Sequence, residues 1–498
     1  MELTALWVGI DLGTQSAKVS VVDDVGVVAA SSSMPLSSQR HGDRHEQDPH
    51  DWIAQATAAL SAALSSLPSV SLARVAGVSL CATSGTITTV DDSGRPQSPG
   101  IMYDDARAGA LGPEANAADP ARWARLGYRI QPTWALPKIA WLARSGLLSD
   151  GRYLAHQADV LASAIVGTRV ATDWSHSLKS GYDLLALEWP VSALRALGID
   201  PATMPSVVAP GTELGDSSAE WAESTGLPAG TPVFAGMTDG CAAQLGAATL
   251  GLGDWHTVIG TTMVLKGVTD HIISDGAGAV YSHRAPHGGL WFPGGASSVG
   301  AGAISASLPS IDLIGASDRL KSRVEGFDSI PTSYPLAGTG ERFPVIRPDA
   351  RGFVRIGGRD HSLVEAARTL DPDLLLASIM LGVACVERLS LDLMARAGAA
   401  VGGTLSSSGG GTKNEWWTQL RADLLKRPIT IPRSSEGSIG MAILAAWAGT
   451  VGATLPETAS RMSIIGRVVE PQPTSSAALN DRYDAFVAEL ISKDWMSA

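Results

Sequence analysis

Near its start the chain alternates short apolar runs with polar breaks. Residues 7–10 are apolar, Asp11-Leu12-Gly13-Thr14-Gln15 interrupts them, and β-branched residues return over 16–22. The pattern predicts a strand, a tight turn and a second strand, with a third strand over 26–31. A helix is predicted over 49–64, opened by Asp48 as cap and Pro49 at the first helical position. Strands over 75–80 and 86–90 enclose the polar turn Ala82-Thr83-Ser84-Gly85. Helical spacing dominates 105–167, and strands and turns resume over 233–268. Residues 374–397 predict one long helix. Residues 406–412 are rich in Gly and Ser between well-patterned neighbours, which reads as a ligand loop. The run 257–262 ends in a Gly-Thr-Thr turn much as the first strand ends in its own turn, which predicts a duplicated α/β unit. Gly251 and Gly253 mark the expected hinge.

At 498 residues the chain is too long for a single core, so two domains are expected, 1–250 and 251–498. Hydrophobic residues at 45% and charged residues at 17% exclude a disordered chain. A net charge of −12 and an isoelectric point near 5.3 argue against nucleic acid as a partner. The N-terminus enters a strand at once, unlike a targeting peptide. The apolar stretch 441–455 is too short to span a bilayer, so no membrane partner is expected. Cys81, Cys241 and Cys385 are far apart and lack metal-ligand spacing. Reduced core thiols in a cytoplasmic protein are the expectation.

The turns carry the candidate chemistry. Gly13 permits a sharp bend, and Thr14, Gln15 and Ser16 then offer backbone N–H groups and hydroxyls suited to a phosphate. Asp11, at the strand end, can hold Mg²⁺ directly or through water. No Lys-Ser/Thr pair follows a Gly-rich loop, so this is not a P-loop. A hairpin that grips phosphate points to the actin-like ATPase and sugar-kinase architecture. Asp239, in Thr238-Asp239-Gly240, follows an apolar run and opens a small-residue segment, placed either for chemistry or for helix capping. Gly260-Thr261-Thr262 and Gly409-Gly410-Gly411-Thr412 are further turns where backbone can meet phosphate or adenine, with the carboxylates supplying metal binding and a base.

Further segments share this order: Glu46-Gln47-Asp48-Pro49-His50-Asp51-Trp52, Met102-Tyr103-Asp104-Asp105-Ala106-Arg107, and Thr225-Gly226-Leu227-Pro228-Ala229-Gly230-Thr231-Pro232-Val233. Gly409 to Asn414 with Trp417, Gln419, Arg421, Asp423 and Pro428 follows, then Glu436 with Gly440 and Ala442. Over nearly its whole length the chain resembles the FGGY carbohydrate kinase family. The resemblance implies an α/β fold of two ribonuclease-H-like (actin-like ATPase) domains around a central cleft, sugar held mainly by the first and nucleotide mainly by the second. It implies ATP and Mg²⁺ as cofactors and a small sugar as substrate, and it admits a homodimer. Asp239 matches the general base and Asp11 the carboxylate that organises Mg²⁺. Thr14 and Gln15, and Gly260, Thr261 and Thr262, match the two phosphate turns. Gly410, Gly411, Thr412 and Asn414 fall in the adenosine segment, and Gly300 and Gly302 border the nucleotide. Asp11, Thr83, Ser84 and Asp239 fall on the sugar side.

D-xylulose kinases usually carry Gln-Met-His-Gly where this chain has Thr83-Ser84-Gly85-Thr86, so the imidazole that would contact sugar hydroxyls is missing. Four segments resemble the D-ribulose kinase branch: His156-Gln157-Ala158-Asp159, Ser177-Leu178-Lys179-Ser180-Gly181-Tyr182-Asp183, Gly294-Gly295-Ala296-Ser297 and Gly340-Glu341-Arg342-Phe343-Pro344. The reading is ATP-dependent phosphorylation of D-ribulose at its terminal primary hydroxyl, with D-xylulose or another FGGY sugar or polyol as the alternative. The competing role for Lys179, Tyr182 and Arg342 is pairing on the surface or holding loops. A sugar or nucleotide sensor on the same fold is the non-enzyme alternative, and intact Asp11 and Asp239 argue against it.

Overall fold

The computed structural model describes residues 4–149, 151–323 and 326–497. The chain forms two compact units. The first comprises Met1–Ala248, His283–Leu290 and Ser434–Ile464; the second comprises Thr249–Ser282, Trp291–Arg433 and Ile465–Ala498. The sequence placed one boundary at 250/251, whereas residues 434–464 return to the first unit.

In the first unit six strands lie in the order Glu213–Asp216, Pro232–Thr238, Val75–Ala82, Leu6–Leu12, Ser16–Asp23 and Val28–Pro35. Leu6–Leu12, Ser16–Asp23 and Val28–Pro35 form an antiparallel meander. Val75–Ala82 and Pro232–Thr238 add in parallel. Side chains alternate across a strand, so Leu6, Val8, Ile10 and Leu12 share one face and join a core with Trp52, Ala56 and Leu60 of the helix Pro49–Ser65. Trp7, Gly9 and Asp11 share the other face and meet the helix Gly437–Gly449. That helix is rich in Gly and Ala, which lets its backbone come close to the sheet. Ser20 and Ser438 hydroxyls bond at 2.8 Å across the same contact.

The second unit repeats the plan. Trp291–Ser297, Met263–Gly267 and Trp255–Ile259 form an antiparallel meander. Leu405–Ser408 and Ile429–Pro432 add in parallel, and Ile465–Val469 closes the edge antiparallel. The meander and the two parallel strands of the first unit recur in order and direction, while the edge strand Ile465–Val469 follows its neighbour in the chain where Glu213–Asp216 precedes its own, and Tyr281–Arg284 adds a seventh strand. The predicted long helix is Pro372–Arg396. It is long and apolar enough to cross a membrane, but 89% of its apolar window is buried inside the protein. Leu375, Leu376, Ile379, Met380 and Val383 lie in a core with Trp417 and Phe486. Gly251 and Gly253, expected as a hinge, belong to a turn tied into this unit: Gly253 N–H donates to Val268 O at 2.9 Å and Thr404 N–H to Asp254 Oδ1 at 2.7 Å. Cys81, Cys241 and Cys385 are buried free thiols.

A methyl group at Gly9 would lie 1.7 Å from Ser438 O, whereas one at Gly402 would meet nothing within 4 Å. Gly9→Ala is therefore expected to lower unfolding free energy by ~2–3 kcal/mol, and Gly402→Ala to stay within about 0.5 kcal/mol of the parent. Urea denaturation checks both, and equal stability of the two variants would overturn the packing argument.

Candidate active site

Asp11 and Asp239 stand at the ends of two strands that flank Val75–Ala82. Asp11 lies opposite Cys81 in the parallel register and opposite Lys18 in the antiparallel one. Met237 and Thr238 oppose Cys81 and Ala82, so Asp239 follows at the same edge. Carboxyl ends of parallel strands are where α/β sheets gather ligands. Asp239 is exposed, and its Oδ1 accepts the Gly240 N–H at 2.7 Å. Asp11 Oδ1 is buried with no partner, while the Cys81 thiol donates to the Asp11 carboxylate. Burial first, then the charge of Asp239, push Asp11 up to about 6. Lys18 acts in the opposite sense and itself pairs with Glu436 at 2.6 Å. Gly437 opens its helix against this carboxylate: a Cβ there would lie 2.7 Å from Asp11 Oδ2.

The first turn is held by its carbonyls. Gln47 Nε2 donates to Thr14 O at 2.7 Å, and Leu36 N–H donates to Gln15 O at 2.9 Å. In a trans peptide the C=O and the following N–H point in opposite directions, so the Gln15 N–H faces away from Gln47. The Gln15 side chain is exposed. Trp52 Nε1 steadies Gln47 at 2.7 Å and Asp48 caps the helix through His50 N–H. The Glu-Gln-Asp-Pro-x-x-Trp segment thus braces the turn. Arg107 pairs with Glu46 at 2.6 Å and with Asp105 at 2.7 Å.

Thr83 and Ser84 follow the central strand. The Thr83 hydroxyl donates to Gln157 Oε1 at 2.8 Å and lies 2.6 Å from the Thr86 hydroxyl. Ser84 Oγ is buried without a partner. Two lysines pin this loop: Lys179 Nζ donates to Ser84 O at 3.1 Å, and buried Lys138 donates to Gly85 O at 2.9 Å and Met102 O at 2.8 Å. Burial pushes the Lys138 ammonium down to about 7. Behind Asp239, Ser175 Oγ accepts the Thr238 N–H at 3.0 Å and donates to Asp173 Oδ1 at 2.6 Å. The other Asp173 oxygen pairs with buried His176. The backbone just before Asp239 is therefore fixed by a buried Asp–Ser relay.

In the second unit, Gly260, Thr261 and Thr262 form the hairpin tip between Trp255–Ile259 and Met263–Gly267. Ala301 N–H donates to Gly260 O at 2.8 Å and Gly302 N–H to Thr261 O at 3.0 Å. A Cβ at Gly300 would lie 2.6 Å from Thr261 O, and one at Gly409 would lie 2.4 Å from Ile259 O. Gly300, Gly302, Gly409 and Gly411 thus pack against this hairpin, while Gly410 faces open space. Thr412 hydroxyl donates to Gly409 O at 2.8 Å. The Asn414 amide caps the helix Glu415–Leu425 through Trp417 N–H at 2.8 Å and donates to Leu313 O at 2.6 Å, so its side chain holds the loop. His256 is buried between Ser406 and Ser408, and burial, then Arg421, push it down to about 3. Arg421 forms a buried bidentate pair with Glu387 and donates to Ser407 Oγ at 2.9 Å.

Each unit thus carries one hairpin turn and one loop at the edge of a sheet built on the same plan. Residues 6–246 match the N-terminal domain of the FGGY family of carbohydrate kinases, and residues 256–449 match its C-terminal domain. The chain belongs to the FGGY family of carbohydrate kinases. It is 26% identical over 475 residues to the xylulose kinase of Bacillus subtilis, covering 91% of this chain and 90% of that relative. It is 25% identical over 471 residues to the gluconokinase of the same organism, covering 90% and 88%. The crystal structure of xylulose kinase from Rhodospirillum rubrum shares the fold, with a TM-score of 0.86 at 23% identity over 98% of this chain and 99% of that one. The fold is the actin-like ATPase fold, and the protein is a carbohydrate kinase that uses ATP.

Several residues of this candidate site escaped the sequence reading. Asp173, Ser175, His176 and Lys138 act on neighbours 36 to 63 positions away, or in the same buried knot, and nothing local marks them. Lys179, Tyr182 and Arg342 hold structure: Lys179 ties Ser84, Tyr182 packs edge-on to Trp189 at 5.0 Å, and Arg342 Nε donates to Ala296 O at 2.9 Å. The four segments that resemble the D-ribulose kinase branch form two bonded pairs, His156 with Ser180 at 2.8 Å and Ser297 with Glu341 at 2.8 Å.

The Asp173–His176 pair gives a pH prediction. Burial opposes the His176 charge, but the Asp173 carboxylate outweighs it and raises the imidazole. Burial likewise opposes the Asp173 charge, and His176 outweighs it and lowers the carboxyl. The stabilisation from the raised imidazole is complete below the ordinary histidine value of about 6.5 and is lost as pH rises through the folded value. The stabilisation from Asp173 is lost as pH falls through its depressed value. His176→Asn keeps a donor at the Nδ1 position without the charge. It is expected to flatten the fall in thermal midpoint above pH ~6.5; the same slope in both proteins would overturn the assignment.

Proposed function

We propose that the protein transfers the γ-phosphoryl group of ATP to the terminal primary hydroxyl of a ketopentose, with D-ribulose as substrate and D-ribulose 5-phosphate as product. The observation that carries this reading is Asp239: an exposed carboxylate at the sheet edge, beside Asp11, on a backbone fixed by Ser175. In that role Asp239 takes the hydroxyl proton while the hydroxyl oxygen bonds to the γ-phosphorus and ADP leaves. The Thr14–Gln15 turn and the Gly260-Thr261-Thr262 turn would offer amide groups to the phosphates. Gly410, Gly411 and Thr412 would border adenosine, with Asn414 holding their loop. Gly300 and Gly302 would act by shaping the second turn.

Asp11 is suited to Mg²⁺. Its Oδ1 is buried without a partner, and among the described residues no group of three or more His, Cys, Asp or Glu could hold a metal ion. A hard cation that keeps waters and phosphate oxygens as ligands fits one protein carboxylate. Bound there, Mg²⁺ would neutralise charge between the β- and γ-phosphates. Reduced cysteines fit a cytoplasmic location.

D-ribulose is favoured by the pinned Thr83-Ser84-Gly85 loop, which offers small hydroxyls and backbone in place of an imidazole. D-xylulose is the second reading, because the Bacillus subtilis and Rhodospirillum rubrum relatives are xylulose kinases. Coupled ADP-release assays across ketopentoses, gluconate, glycerol and hexoses test the choice. The expected result is a kcat/KM for D-ribulose at least about tenfold above D-xylulose. A higher value for D-xylulose would overturn the substrate, and turnover of only gluconate, glycerol or a hexose would overturn the ketopentose class.

Asp239→Asn is expected to lower kcat by ~10²-fold or more with the circular dichroism spectrum unchanged. Turnover within a few-fold of the parent would remove Asp239 from the role. Asp11→Ala is expected to raise the Mg²⁺ concentration for half-maximal activity while the ketose KM changes little. An unchanged Mg²⁺ titration would count against Asp11.

A further inference from the structure

The Gly340-Glu341-Arg342-Phe343-Pro344 segment points to a role apart from the sugar. Glu341 ends the strand Ser333–Glu341 and is only 2% exposed. One of its oxygens accepts the N–H groups of Ser298 at 2.7 Å and Arg342 at 2.9 Å. The other accepts the hydroxyls of Ser297 at 2.8 Å and Tyr334 at 2.9 Å. Ser297 Oγ in turn accepts the Val299 N–H at 3.0 Å. Arg342 Nε reaches Ala296 O, and a Cβ at Gly295 would lie 2.6 Å from the Phe343 ring. The segment 294–299 is thus clamped on both sides of Glu341.

Three residues further on, this clamped segment grips the hairpin tip. Ala301 N–H holds Gly260 O and Gly302 N–H holds Thr261 O. A planar trans peptide points its N–H opposite to its C=O. With both carbonyls drawn towards 301–302, the N–H groups of Thr261 and Thr262 face the other way, where successive amides can receive an anion. Gly300 leaves no slack, since its Cβ would lie 2.7 Å from Thr262 Cα.

We propose that Glu341 is a positioning residue for the Gly260-Thr261-Thr262 turn, acting through Ser297, Ser298 and the 299–302 segment to aim the Thr261 and Thr262 amides at a nucleotide phosphate. This rests on the reading of that turn as a phosphate site. Glu341 does not touch the nucleotide. It makes the carbonyl grip rigid, so its removal weakens nucleotide binding and leaves the ketose pocket of the first unit alone.

The test measures KM for ATP and for the ketose, with calorimetric binding of ADP, in Glu341→Ala, Glu341→Gln and Gly300→Ala. Glu341→Ala is expected to raise the ATP KM and the ADP dissociation constant about tenfold, with the ketose KM within about twofold. Glu341→Gln keeps an acceptor for Ser298 N–H and an amide that the Ser297 or Tyr334 hydroxyl can accept, so it is expected to recover most of the affinity. Unchanged ADP affinity in folded Glu341→Ala overturns the proposal, as does an equal rise in both KM values. If Glu341→Ala does not fold, Ser297→Ala carries the test with the same two criteria. Gly300→Ala displaces Thr261 directly. If it leaves ADP binding unchanged, the phosphate-turn reading falls; if it weakens ADP while Glu341→Ala does not, only the role of Glu341 falls.

Discussion

The close approach of the helix Gly437–Gly449 to the strand Leu6–Leu12 governs the first unit. Gly9 meets Ser438 O, Gly440 meets Ala242 O and Gly437 meets the Asp11 carboxylate, each at a distance that no side chain would allow. Glycines at these points carry an entropic cost in regular structure. What they secure is close contact of this helix with Gly9 and Asp11, more than 400 positions away along the chain, and with Ala242, 198 positions away. The contact sets a helix N-terminus, where the dipole favours negative charge, onto Asp11. It also buries Asp11 Oδ1, and burial, then the charge of Asp239, push this carboxyl up to about 6. The geometry holds a carboxylate whose ionisation is costly until a cation offsets it.

Both hairpin turns use one device. A neighbouring donor seizes the turn's carbonyls, and peptide planarity then sends the amides the other way. In the first unit the donors are the Gln47 side chain and the Leu36 N–H; in the second they are the Ala301 and Gly302 N–H groups. The duplicated strand order gives both units the same turn, but the braces differ because the segments that follow each meander differ.

Much of what resembles ligand-binding sequence is support. Gln47, Trp52, Arg107 and Asn414 spend their polar groups on protein partners, and Arg421 does so through Nε and Nη2 while its Nη1 is buried without a partner. Buried polar groups must be satisfied, and a fully satisfied network holds its members in one arrangement. The Arg421–Glu387 pair and the neutral His256 fix the strand that leads into the Gly409 loop. The Ser175–Asp173 relay does the same for the backbone ahead of Asp239. The proposed chemistry then needs few groups: two carboxylates and the amides of two turns.

Local patterns determined the meanders, the first helix, the long core helix, the duplication and the positions of Asp11, Asp239 and the glycine turns. Alternation, helical spacing, caps and turn residues act within a few positions along the chain, so they are legible without the fold. The tertiary structure alone decided that 434–464 returns to the first unit, that Gly251–Gly253 is a tied turn, and that Lys179 and Arg342 brace loops. It alone brought Ser175 to Thr238, Lys138 to Gly85 and Glu341 to Ser298. Those three contacts join residues 43 to 63 positions apart, and the Ser20–Ser438 bond that ties 434–464 to the first sheet joins residues 418 apart. Nothing in a local sequence window records which distant carbonyl or amide a buried side chain will satisfy.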